Sequence, residues 1–298
     1  MSRRFSRVSG GGGSAAASVA VFGAFAWKAS NISSSRPSSS YGTAVTPAQN
    51  AFGSWAQLLA AGSVTNAVRG VLVTFTNTNA STLAKDCVVD IGVDPAGGTS
   101  YTTLLPSLFA SNCNTVSSSP GTSYYFPIAI AAGSSIAARA SVNNATVGTV
   151  RVQITVFGSP TVTTRAGTAV EAVGLTAASS AGTAVTPGQA AEGAWATMGT
   201  LSAESWFFQL GVGLNVGTAT GGTLAFDAAE GDGNTMLVED ALYISTVGEV
   251  LMQCNGNCLV HQVQRTIANG STIKVRGQCS GVPDAGYSAI VYAVSGDG

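Results

Sequence analysis

Residues 42–58 read GTAVTPAQNAFGSWAQL, and residues 182–198 read GTAVTPGQAAEGAWATM. Eleven of the seventeen positions are identical, each answered 140 residues later: Gly42 to Pro47, then Gln49, Ala51, Gly53, Trp55 and Ala56. The echo continues, because IAAGSSIAARA at 130–140 returns as IANGSTIKVRG at 267–277. More weakly, GTVRVQITVFG at 148–158 returns as GYSAIVYAVSG at 286–296. The offset drifts only between 137 and 140, so short loop insertions separate two copies of one module. A period this long is domain-sized, far above the roughly 20–50 residues of a solenoid repeat. The chain therefore divides into an arm at 1–41, a first repeat at 42–158, a connector at 159–181 and a second repeat at 182–298.

Within each repeat the pattern is that of strands. Val150, Val152, Ile154 and Val156 alternate with Arg151, Gln153 and Thr155, the period of a half-buried strand. Val71, Val73 and Phe75 share one face, as do Phe208, Leu210, Val212, Leu214 and Val216. Turn-forming clusters separate the runs, among them Asp94-Pro95-Ala96-Gly97-Gly98 and Asn269-Gly270. Short strands with frequent turns predict an all-β chain of two tandem antiparallel β-sandwiches, of jelly-roll or immunoglobulin-like type. Proline cannot donate to a ladder, so Pro47 and Pro187 belong at a strand edge or just past one.

Composition narrows the function classes. Charged residues make up 9% of the 298, net charge is −1, and 45% are apolar. An average soluble chain carries about 25% charged residues, so solubility here falls to hydroxyls and amides. A surface of this kind repels its neighbours weakly and suits a homo-oligomer. The charge balance gives no electrostatic case for nucleic acid.

The first forty residues are a different polymer. MSRRFSRVSGGGG is basic and glycine-rich, and SAAASVAVFGAFAW is small and apolar. The apolar stretch is too short and glycine-interrupted for membrane insertion, which takes about 20 apolar residues. It reads as a retained, extended arm rather than a cleaved signal, although Arg3-Arg4 hints at a twin-arginine leader. Ordering forty residues costs about 1–2 kcal/mol each, so the arm needs a partner surface. Phe22, Phe25 and Trp27 are the expected anchors, with Arg3 and Arg4 meeting acidic or carbonyl-rich surface on the neighbour.

Chemistry is sparse. His261 is the single histidine, and the sequence lacks a G-x-S-x-G elbow, a Walker sequence and a Rossmann fingerprint. Neither an enzyme nor a bound cofactor is expected. Cys254, Cys258, His261 and Cys279 form a weak zinc candidate, against a disulfide or plain buried thiols. Asp227, Glu230 and Asp232 could line a calcium loop but lack the EF-hand pattern, and a solvated acidic turn is the plainer reading. The duplicated Trp55 and Trp195 read as packing anchors, with a sugar-stacking platform as the alternative. Arg139 and Arg276 recur within strand-like runs and are expected to pair with Asp90 and Asp227.

The G-T-A-V-T-P-x-Q-x-x-x-G-x-W opening, the V-V-D-I-G strand and the segment at 126–139 together resemble β-sandwich modules of tailed-bacteriophage structural proteins, of tail, fibre, neck or head-decoration type. The resemblance covers both repeats. It implies a virion location after assembly in the host cytoplasm, symmetric self-assembly, and docking on other virion proteins through the N-terminal arm. It also implies, in some members, attachment to a host-surface glycan. A secreted or cell-surface adhesin or carbohydrate-binding protein is the alternative.

Overall fold

The computed structural model describes residues 42–77, 87–110, 122–142, 149–158, 165–176, 182–214, 222–231, 233, 235–246, 249–251, 266–281 and 287–297. Among these the chain is all-β, with a single short 3-10 turn at Ala61–Ser63.

The first repeat contains β1 (Thr43–Val45), β2 (Ala48–Gln49), β3 (Ala56–Leu59), β4 (Gly70–Asn77), β5 (Cys87–Asp94), β6 (Thr102–Ala110), β7 (Thr122–Phe126), β8 (Ser135–Val142) and β9 (Val150–Phe157). They form two sheets, one ordered β1-β9-β4-β7 and one ordered β2-β8-β5-β6, with β3 also on β8. After β10 (Ala169–Val173) the order recurs in β11 (Thr183–Val185), β12 (Gly188–Gln189), β13 (Ala196–Thr200), β14 (Ser205–Leu214), β15 (Gly222–Glu230), β16 (Thr235–Thr246), β17 (Glu249–Leu251), β18 (Thr272–Cys279) and β19 (Tyr287–Ser295). Here β19 joins β10, β11 and β14, while β18 joins β12, β13 and β15, with β16 and β17 beyond.

The duplicated opening is the corner that links the two sheets of each repeat. β1 lies antiparallel to β9 in one sheet, and β2 lies parallel to β8 in the other. Thr46 and Pro47 make the crossing, and the buried Pro47 stands where no ladder donor is required. Gly53 then donates its N–H to the Ala140 carbonyl at 2.9 Å. A Cβ on Gly53 would sit 2.6 Å from the Thr46 oxygen, so only glycine lets the chain return this closely. The second copy repeats the device, with Gly193 bonded to Gly277 and its would-be Cβ 2.5 Å from the Thr186 oxygen.

The final strands correspond differently from their sequence match. Val71 pairs with Val156 and Phe208 with Ala293, so β19 lies 137 residues after β9 rather than 138. A one-residue slip exchanges the two faces of a strand. In the structural register, Arg151, Gln153, Thr155 and Phe157 on the outer face of β9 correspond to Ser288, Ile290, Tyr292 and Val294 on β19. The first set is half-buried, whereas the second is buried completely.

That difference builds the contact between repeats. Tyr292 packs edge-on to Tyr124 at 5.5 Å and to Phe126 at 6.0 Å. Its hydroxyl donates to the Ser107 carbonyl at 2.9 Å and accepts the Phe109 N–H at 2.9 Å. Gly213 of β14 lies under Phe109, and Phe207 meets Tyr125. Buried side chains of both repeats thus form one continuous apolar cluster. The segment expected as a plain connector contributes β10, which pairs with β19 from Ala169↔Ser295 to Val173↔Val291.

Candidate functional site

The recurring charged residues converge on one arrangement, built once in each repeat. Asp90 stands opposite Arg139 across β5 and β8, and Asp227 opposite Arg276 across β15 and β18. Arg139 donates from Nε at 3.0 Å and Nη2 at 2.8 Å to Oδ2 of Asp90. Arg276 donates from Nε to Oδ2 of Asp227 at 3.0 Å.

The other carboxylate oxygen has a second duty. The ladders between β5 and β6 and between β15 and β16 each skip register opposite the aspartate. The extra residue there, Ser107 or Asp240, takes a left-handed backbone with φ of 49° or 50°. A bulge leaves an N–H without its ladder partner. Asp90 Oδ1 accepts that N–H from Ser107 at 2.8 Å, and Asp227 Oδ1 accepts it from Asp240 at 2.9 Å. Each aspartate is almost wholly buried, at 3% and 4% exposure, which its full set of partners makes tolerable.

The tryptophans close the arrangement. The Arg139 guanidinium carbon lies 4.5 Å from the Trp55 ring centre and 4.6 Å from that of Phe52. Arg276 lies 4.4 Å from the Trp195 ring centre. Each indole rests over a glycine, since a Cβ on Gly92 would come within 2.5 Å of Trp55 and one on Gly233 within 2.8 Å of Trp195. Both rings are half-buried and held between backbone and guanidinium. The copies differ at the rim. Tyr101 packs on Trp55 at 5.6 Å in the first, whereas Glu192 replaces Phe52 in the second and forms an ion pair with Arg276.

Both carboxylate oxygens of each aspartate are taken up by these hydrogen bonds. Asp227 and Glu230, two of the calcium candidates, are bonded apart: Asp227 as above, and Glu230 to the Ser271 hydroxyl at 2.7 Å. Both belong to strand β15 rather than to an acidic turn. Asp232 lies outside the described residues, as do Cys254, Cys258 and His261 of the zinc candidate. Cys279 is buried on β18, and its thiol donates to the Gly281 carbonyl at 3.1 Å. Among the described residues no three metal-ligating side chains gather. The arm candidates Arg3, Arg4, Phe22, Phe25 and Trp27 also lie outside the described residues.

Sequence reasoning placed the aspartate–arginine pairs but missed the bulge residues Ser107 and Asp240. It also missed Tyr292, the phenol that joins the repeats. Burial raises the phenol pKa of Tyr292 above its ordinary value, and that of Tyr125 likewise. The available signal for Tyr292 was the unbroken apolar run at 289–294, where β9 alternates strictly.

No protein-family model and no curated protein matches this chain. Among solved structures it is similar to PNGF-II, at 7% identity over 86% of this chain and 66% of that one, with a TM-score of 0.28. It is similar also to tripeptidyl peptidase 2, at 10% identity over 89% of this chain and 23% of that one, with a TM-score of 0.24. The chain spans less than two thirds of either. At such TM-scores neither likeness bears on its fold or chemistry.

Proposed function

We propose that the chain is a structural subunit of a tailed-phage virion, of tail, neck, fibre or head-decoration type. In this reading it is a tandem pair of β-sandwich modules that self-assembles and docks on other virion proteins through residues 1–41. The observation that carries it is the duplicated clamp: the charged residues retained in both copies are all spent on holding a bulged strand in place. Duplication of scaffold, with recurring polar groups turned inward, fits a building block better than a catalyst. Low charge and an apolar arm segment favour packing against neighbours.

Mass spectrometry of the chain from purified particles tests this. Retention of Met1 or Ser2, together with presence in the particle, supports the virion subunit. Loss of the first 26 or so residues and absence from particles would favour the secreted adhesin. One observation favours that second reading: Phe52, Trp55 and Tyr101 gather beside Arg139 in the first repeat, and the second lacks the phenylalanine. Glycan-array binding abolished by Tyr101→Ala would support a host-surface glycan as ligand.

A further inference from the structure

The last strands of the two repeats are covered differently along one edge. In the second repeat, β11 pairs with β19 from Tyr287 to Ala289, and β10 continues the same edge from Val291 to Ser295. In the first, β1 pairs with β9 from Val150 to Val152, and no strand among the described residues follows it. The Phe157 carbonyl accepts the Arg69 N–H on the β4 side. Backbone groups alternate along a strand, so the N–H and C=O of Ile154 and Val156 point to the edge shared with β1. Val291 and Ala293, 137 residues on, turn theirs to β10.

A second wall completes the comparison. In the second repeat the loop at 201–204 faces β10, and the Glu171 carboxylate accepts both the N–H and the hydroxyl of Ser202. Its counterpart 137 residues earlier is the loop at 64–67, which has the same burial pattern with Thr65 in place of Ser202. Between that loop and β9 lies a shallow cleft open to solvent, lined by residues 63–66, Val68, Val156 and Gly158. It occupies the place that β10 fills in the second repeat.

The chain carries a segment suited to it. β10 precedes Thr183 by ten to fourteen residues, and the same distance before Thr43 falls on Ala29-Ser30-Asn31-Ile32-Ser33. Gly42 packs on the Val152 carbonyl, so the chain enters β1 beside the cleft. By that spacing Asn31 answers to Glu171, one methylene shorter and likewise carrying a side-chain oxygen that accepts hydrogen bonds. We propose that residues 29–33 of this chain's own arm add to β9 as an antiparallel strand, with Ser33 opposite Ile154 and Asn31 opposite Val156. Ser30 and Ser33 replace the buried Val170 and Val173, so this strand is held by its ladder and by Asn31 more than by apolar burial. The inference rests on the duplication and is independent of the virion reading. It leaves residues 1–28, with Phe22, Phe25 and Trp27, to reach a neighbour.

Hydrogen exchange on the full-length chain, with its mass measured by light scattering, tests the proposal. The amides of Ile154 and Val156 are expected to be protected in a monomeric sample. Asn31→Pro removes a ladder donor and should lower that protection about tenfold or more, leaving Val73 and Ile136 unchanged. Thr65→Val, a milder change at an exposed site, should lower it in part. Protection that survives both substitutions overturns the proposal. So does protection seen only in an oligomer and lost on dilution, which would assign the cleft to a second copy's arm.

Discussion

Asp90 and Asp227 each hold an arginine with one oxygen and a bulge N–H with the other. Removing the carboxylate therefore strands two groups at once. Asp90→Ala is expected to cost about 3 kcal/mol, the low end for breaking a buried pair, and Asp227→Ala a similar amount. Asp90→Asn keeps an acceptor for Ser107 and should cost less; thermal unfolding of the three variants checks the order. Glycine matters beside them. Gly92→Ala would drive a methyl to within 2.5 Å of the Trp55 ring and should lift the indole off the sheet, read as a red-shifted and more quenchable tryptophan emission. The pairs were legible because aspartate and arginine keep the same 137-residue spacing. The bulge was not, because it exists only once β6 has chosen its register against β5.

Elements show why strict alternation was readable in β9 and lost in β19. β9 turns one face to the core and a polar face outward, so the period of two survives in the sequence. β19 is buried on both faces, and such strands read as continuous apolar runs. With the alternation gone, nothing in the residues opposed a correspondence one position out. β10 was equally hidden, five residues in a stretch rich in Thr, Ala, Ser and Gly, and it becomes a strand because β19 offers an edge. Proline at its centre should undo that pairing: Glu171→Pro removes a ladder donor and the Ser202 contact together. The expected outcome is new protease cleavage within 165–176 while the Asp227 clamp stays intact, checked by mapping the fragments.

At the scale of the whole molecule, Tyr292 decides whether the repeats behave as one body. It is fully buried, four aromatic or polar neighbours from the first repeat surround it, and Ile290 and Val294 are buried on the same face. Burying a large apolar side chain is worth about 1.5–3 kcal/mol, so this face couples the repeats by more than a loose inter-domain contact would. Calorimetry of the full chain should therefore show one transition. Tyr292→Phe keeps the ring but leaves the Phe109 N–H without its acceptor, at a cost of about 1–3 kcal/mol. That loss should move the single transition as a whole, whereas a shift confined to one of two transitions would show the repeats to be independent. Alkaline pH adds a signature specific to the phenol. Its folded pKa is raised by burial, so its neutral form contributes fully below the unfolded value of about 10 and progressively less above it. The parent chain then loses stability as pH rises past about 10, through an unfolded-state ionisation that the phenylalanine variant lacks at this position. Tyr125, raised in the same direction, keeps part of the slope in both chains. The stability gap between parent and variant should narrow above pH 10, and a gap that holds constant would mean that Tyr292 is not buried between the repeats.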